Sequence, residues 1–193
     1  MKKALKGLVL AGGKSSRMGT NKAEINWHGK QQQYHLADLL KRYCDEVFIS
    51  CRQNQQQTIN TDYPFLTDTY ADAGPLAALL TAFEKYPDCG WMIMACDIPL
   101  LDQPTLAHLV EQRDDTKIAT VFTSILDELP EPLIGIWEPE SYHHLKIQHQ
   151  KQQFSLRKIL TANGAKTIKA PNDGALINVN TPEDAAYIKK LIG

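Results

Sequence analysis

Residues 10–22 read Leu10-Ala11-Gly12-Gly13-Lys14-Ser15-Ser16-Arg17-Met18-Gly19-Thr20-Asn21-Lys22. Adjacent glycines let backbone N–H groups approach an anion closely. Lys14, Arg17 and Lys22 place three cations within nine residues. Together these features suit a polyphosphate. The stretch is not a Walker A loop, because the position five before Gly13 is Leu8. It is not a dinucleotide fingerprint either, since no residue separates Gly12 from Gly13. The plainer reading is a glycine-rich surface turn with solvated cations. The apolar run Leu5–Leu10 directly before the loop favours phosphate binding, because open α/β sheets bind ligands beyond the carboxyl ends of their strands.

Several polar residues sit at comparable places. Asp97 follows the apolar run Trp91–Ala95 and precedes Ile98-Pro99. A carboxylate there can hold a divalent cation against phosphate oxygens, or cap a following helix. The capping role fits Asp102 better, because Asp102 directly precedes Gln103-Pro104. Asp68 ends Phe65-Leu66-Thr67-Asp68, at the carboxyl end of a strand-like run, where ordinary loop chemistry is the plainer reading. Gly74-Pro75 opens a helix-like segment whose free N–H groups can face an anion. Asn178 and Asn180 lie in Ile177-Asn178-Val179-Asn180-Thr181-Pro182; amides there can bond a substrate, and Asn180 can equally form a turn. His143, His144 and His149 lack the spacing of metal ligands, and Cys44, Cys51, Cys89 and Cys96 form no C-x-x-C pair. The cysteines read as buried thiols of a reducing compartment.

Elements must position these groups. Strand-like runs at Leu5–Leu10, Val47–Ile49, Phe65–Thr67, Trp91–Ala95, Ile118–Phe122 and Leu133–Trp137 alternate with helix-period segments. Tyr34, Ala37, Leu40 and Tyr43 share one helical face, as do Leu76, Leu79, Leu80 and Phe83. Leu106, Leu109 and Val110 follow Pro104, and residues 138–148 and 155–160 also read as helix. Ala175-Leu176-Ile177 reads as a short strand, and Thr181-Pro182-Glu183-Asp184 has the cap, proline and acid of a helix start. The alternation predicts an α/β fold: one three-layer, Rossmann-like domain over residues 1–193 with a mostly parallel sheet. No linker or internal repeat divides the chain.

The 43% hydrophobic content excludes low-hydrophobicity disorder as the dominant state. No apolar run approaches the roughly 18–20 residues of a membrane span, so the expectation is a cytoplasmic protein with no membrane partner. The net charge of −1 does not point to nucleic acid. It conceals an asymmetry: residues 1–30 hold seven Lys or Arg against one Glu, while the remaining 163 hold 14 against 21 acids.

The loop resembles the Leu-Ala-Gly-Gly-x-Ser-x-Arg-Met-Gly-x-x-Lys signature of small nucleotidyltransferases, most of all the molybdenum cofactor guanylyltransferase family. Cys96-Asp97-Ile98-Pro99, Asp68, Gly74-Pro75-Leu76 and Asn178-Val179-Asn180-Thr181-Pro182 resemble further family segments in the same order. Glu131-Pro132-Leu133 and Ser155-Leu156-Arg157 resemble segments near the acceptor, where Arg157 is either a phosphate contact or a solvated helix residue. The resemblance implies transfer of GMP from GTP to molybdopterin, with pyrophosphate leaving. It implies that Leu10, Ala11, Gly12, Gly13, Lys22, Asp68 and Asp97 bind the nucleotide. It further implies that Arg17, Lys22 and Asp97 act in catalysis, that Asp97 holds Mg²⁺, and that Asn178 and Asn180 bind substrate. Molybdenum cofactor delivery proteins are further expected partners. Ser50 stands where the family often has Asn, and Asn21 where Asp is frequent. Two alternatives remain: a cytidylyl or sugar-phosphate transferase of the same fold, and a non-catalytic nucleotide-binding regulator.

Overall fold

A computed structural model describes residues 3–13, 21–60, 62–70 and 72–192. Seven strands form one sheet: β1 (Leu5–Leu10), β2 (Glu46–Cys51), β3 (Phe65–Thr67), β4 (Gly90–Ala95), β5 (Ala119–Thr123), β6 (Pro130–Trp137) and β7 (Lys166–Ile168). Their order is β3-β2-β1-β4-β6-β5-β7. β1 pairs parallel with β2 and β4, β2 with β3, and β5 with β7, while β6 runs antiparallel to both β4 and β5. The sheet is therefore mostly parallel, as expected. From β1 the chain builds outward to β2 and β3, then returns to place β4 on the other side of β1. That reversal is a topological switch point, which opens a crevice beyond the carboxyl ends of β1 and β4.

The strands bury both faces, so they are nearly continuous in apolar residues. Val9, Ile49, Met92 and Met94 meet one helix layer, α1 (Gln32–Leu40) and α3 (Gln103–Glu111). Leu8, Phe48, Trp91 and Ile93 meet the other, which holds α2 (Pro75–Lys85), α4 (Ser141–Gln150) and α5 (Leu156–Ala162). Neighbouring residues of one strand thus serve opposite cores, as a period of two requires. A third, smaller cluster joins Trp27, Val179 and Ile188, the last on α6 (Pro182–Ile192).

Helix starts follow local chemistry. Asp102 caps α3 by accepting from the Thr105 N–H at 2.9 Å, confirming its structural role. Thr181 Oγ1 accepts from Asp184 N–H at 3.1 Å, and the Asp184 carboxylate accepts from the N–H groups of Asn180 and Thr181. Gly74 precedes α2 at φ +57°, a conformation that glycine adopts without steric cost. Far from the crevice, Arg113 and Glu138 form a buried two-pronged ion pair at 2.7 and 2.9 Å. Arg113 also donates to the Lys3 carbonyl at 2.9 Å.

One expectation needs correction. Ala175-Leu176-Ile177 is not a strand: residues Asp173–Leu176 form a 3-10 turn, opened by Asn172 accepting from the Gly174 N–H. Asn178 consequently lies in irregular chain after that turn, not on a strand. β7 was not anticipated, because Lys166-Thr167-Ile168 is short and only partly buried.

Candidate active site

The crevice holds a cavity of about 630 Å³. Leu10 closes β1, and Ala11, Gly12 and Gly13 carry the chain into the cavity wall. The Ala11 N–H donates to the Ser50 carbonyl at 3.0 Å, so the exit from β1 stays tied to β2. A Cβ on Gly12 would stand 3.3 Å from Asp68 Oδ2 and 3.7 Å from Arg52 Cγ. Glycine there keeps the carboxylate open to the cavity.

Lys22 begins a 3-10 turn, Lys22–Glu24, whose start is fixed by Asn21 Oδ1 accepting from the Ala23 N–H at 3.2 Å. Lys22 Nζ donates to Asn180 Oδ1 at 2.7 Å and lies 3.6 Å from Asp97 Oδ2. Residues 22, 97 and 180 therefore meet at one corner of the cleft. Asp97 keeps 24% of its side-chain surface and lines the cavity. Burial pushes its carboxyl above the usual carboxylate range, and the Lys22 ammonium opposes that rise. Asp97 also holds the C-terminal segment, because its carbonyl accepts from the Val179 N–H at 2.7 Å.

Asp68 follows β3 and stays in register, its N–H donating to the Cys51 carbonyl at 3.0 Å. Its carboxylate accepts from the Ser50 hydroxyl at 2.7 Å. Burial pushes Asp68 up to about 6, against the lowering influence of Ser50 and Arg52. The opening turn of α2 supplies another wall through Gly74, Pro75, Ala77 and Ala78. That turn brings the positive end of the α2 dipole to the cavity, although Pro75 has no N–H and the Ala77 N–H is taken by the Gly74 carbonyl at 3.0 Å.

Leu10, Ala11, Gly12, Gly13, Lys22, Asp68 and Asp97 all line this cavity. Asn180 joins through Lys22, whereas Asn178 does not line the cavity. Arg17, with Lys14 and the rest of residues 14–20, lies outside the described residues. Arg157 is engaged by Asp127 Oδ2 at 2.7 Å and Glu131 Oε2 at 3.4 Å. Sequence reasoning missed Arg52 and Tyr70 as lining residues, whereas Leu133, from a segment placed near the acceptor by resemblance, does line the cavity. Arg52 was findable: it follows the carboxyl end of β2, the same edge that bears Asp68 and Asp97. Among the described residues no group of three or more His, Cys, Asp or Glu could hold a metal. All four cysteines are buried and unpaired.

Chemically, the cleft offers backbone N–H groups, one ammonium and one carboxylate at a corner, and a second carboxylate further along. The fold and cleft together define an α/β domain with a ligand-sized crevice at the switch point of its sheet. The chain belongs to the MobA-like NTP transferase domain family, whose model matches residues 7–167. It is therefore a nucleotidyltransferase-type enzyme. It is 36% identical over 188 residues to the molybdenum cofactor biosynthesis bifunctional protein of Synechocystis sp., covering 95% of this chain and 53% of that one. The chain thus spans about half the length of that relative. It is 30% identical to the molybdenum cofactor guanylyltransferase of Pseudomonas entomophila, over 91% of this chain and 93% of the other. Among solved structures, molybdopterin-guanine dinucleotide biosynthesis protein A from Archaeoglobus fulgidus shares the fold, with a TM-score of 0.80 at 19% identity over 96% and 97% of the two chains. No described helix is long and apolar enough to cross a membrane.

Proposed function

We propose that this domain transfers GMP from GTP to molybdopterin in the cytoplasm, releasing pyrophosphate. The observation that carries the reading is the corner where Lys22, Asp97 and Asn180 meet, on a cavity that Gly12 and Gly13 also line. An acceptor phosphate oxygen attacks the α-phosphorus, and the bond from that phosphorus to the bridging oxygen of the β-phosphate breaks. No covalent enzyme intermediate is needed, because positioning and charge stabilisation can carry nucleotidyl transfer. Backbone N–H groups at Gly12 and Gly13 bind the triphosphate. Lys22, aimed by Asn180, stabilises the charge that builds on the departing pyrophosphate, and Arg17 is assigned the same task by family resemblance. Asp68, already accepting from Ser50, faces the nucleotide as a hydrogen-bond acceptor. Asn178 and Asn180 lie on the segment assigned to substrate, and molybdenum cofactor delivery proteins are the proposed recipients of the product.

The donor set fits Mg²⁺. Asp97, a partly exposed carboxylate on the cavity wall, suits an ion that keeps its waters and shares its coordination with substrate phosphates. Asp97 would hold it. Bound there, Mg²⁺ would neutralise charge on the phosphate oxygens. Incubation with Mg²⁺, molybdopterin and each nucleoside triphosphate in turn tests the reading. Pyrophosphate release with GTP alone supports it. Release with CTP alone assigns the cytidylyl reaction instead, and tight binding without release makes the protein a nucleotide sensor.

A further inference from the structure

The segment after β4 is gripped through its backbone at three successive carbonyls. Asp97 C=O accepts from the Val179 N–H at 2.7 Å. Ile98 C=O accepts from Gln32 Nε2 at 3.2 Å. Pro99 C=O pairs with His28 Nε2 at 2.8 Å. A carbonyl can only accept, so this histidine nitrogen carries the proton. His28 and Gln32 belong to the stretch that follows Lys22, and Val179 belongs to the stretch that carries Asn180.

The small third core ties the same segments together. Trp27, Val179 and Ile188 are buried in it, with Ile25, Leu100, Ile177 and Ala185 packed around them. Each segment bearing a polar group of the corner thus contributes an apolar residue to one cluster. The family match ends at residue 167, so part of this bracket lies beyond the matched region. Gln32 is fully buried, yet its Oε1 has no hydrogen-bond partner. The engaged end of this buried amide is therefore its Nε2, held on the Ile98 carbonyl.

We infer that His28 and Gln32 are positioning residues, which hold the Asp97 carboxylate at its place beside Lys22 by fixing the carbonyls of Pro99 and Ile98. Neither needs to touch substrate. This rests on the proposed role of Asp97 as the metal ligand of a transferase. His28 is exposed, so it can be replaced with little risk to folding. Its ring also stacks on His35, with centroids 4.1 Å apart. Leucine and glutamine both remove that stack, but only glutamine restores an N–H at the reach of Nε2.

The test compares wild type, His28→Leu, His28→Gln and Asp97→Asn. The readings are pyrophosphate release over a Mg²⁺ titration, Mn²⁺ binding to the protein with a non-hydrolysable GTP analogue, and the thermal midpoint. For His28→Leu the expected result is a drop in kcat of about ten-fold, within the range known for small displacements of catalytic groups. The half-saturating Mg²⁺ concentration and the Mn²⁺ dissociation constant should rise in step, with the metal-free affinity for the analogue unchanged. His28→Gln should recover most of both losses. Equal behaviour of the Leu and Gln variants, or wild-type metal dependence in His28→Leu, overturns the positioning role while leaving the transferase reading intact. Full activity in Asp97→Asn removes the metal reading itself, and the positioning role with it.

Discussion

Asp68→Asn asks whether the cleft keeps a buried negative charge at the expense of the fold. The Asp68 carboxyl is pushed from its usual 3.8 up to about 6, chiefly by burial. The folded chain therefore holds this proton more tightly than the unfolded chain. Between those two values the folded state binds more protons, so stability falls as pH rises. A shift of roughly two units corresponds to about 3 kcal/mol at pH 7, about half of that near pH 5, and about 0.5 kcal/mol near pH 4. Asparagine matches the shape, still accepts the Ser50 hydroxyl, and carries no charge. Asp68→Asn should thus be more stable than wild type by up to about 3 kcal/mol at neutral pH, or roughly 6–12 °C for a chain of this size. The gain should shrink steadily on acidification. Urea denaturation of both proteins across this pH range measures it, and binding of GTP under the same conditions should be weaker in the variant. Equal stability at neutral pH, or a difference that does not diminish toward pH 4, refutes the assignment of a desolvated carboxylate.

Replacing Lys22 by Ala should weaken GTP binding by about 10- to 100-fold, the worth of a hydrogen bond to a charged group, while guanosine binding changes little. Calorimetry with both ligands checks this, and equal losses count against a phosphate role. Gly12→Ala places a methyl 3.3 Å from Asp68 Oδ2, so nucleotide affinity should fall several-fold with the thermal midpoint nearly unchanged. Arg113→Met leaves Glu138 buried without its partner and should cost about 3–5 kcal/mol in denaturant unfolding. Its kcat at low temperature should stay near wild type, because the pair lies at the opposite end of the sheet from the cleft.

Much of this organisation was legible in the order of residues. The apolar runs of β1, β2 and β4 are recognisable because both faces are buried, and each ends directly at a glycine or polar group of the site. Residues just past the carboxyl ends of β1, β3 and β4, namely Gly12, Asp68 and Asp97, could be assigned to one cleft from the parallel topology alone. What the sequence hid depends on tertiary contact. Lys166-Thr167-Ile168 has no strong period of its own and becomes a strand only by pairing with β5. Ala175-Leu176-Ile177 looks like a strand, yet Asn172 turns the chain into a 3-10 helix. The meeting of Lys22 with Asn180 spans 158 positions and has no local signature. Ser50 stands out in the sequence only as a departure from the Asn frequent in the family, whereas in the fold its hydroxyl serves Asp68.

Formation of the dinucleotide product by mass spectrometry, in a single turnover of protein with GTP, molybdopterin and Mg²⁺, tests the central claim most directly. Wild type should yield molybdopterin-guanine dinucleotide and one pyrophosphate per product. Asp97→Ala should yield essentially none while keeping a cooperative thermal transition. Undiminished product from Asp97→Ala, or no dinucleotide from wild type with any triphosphate, contradicts the account.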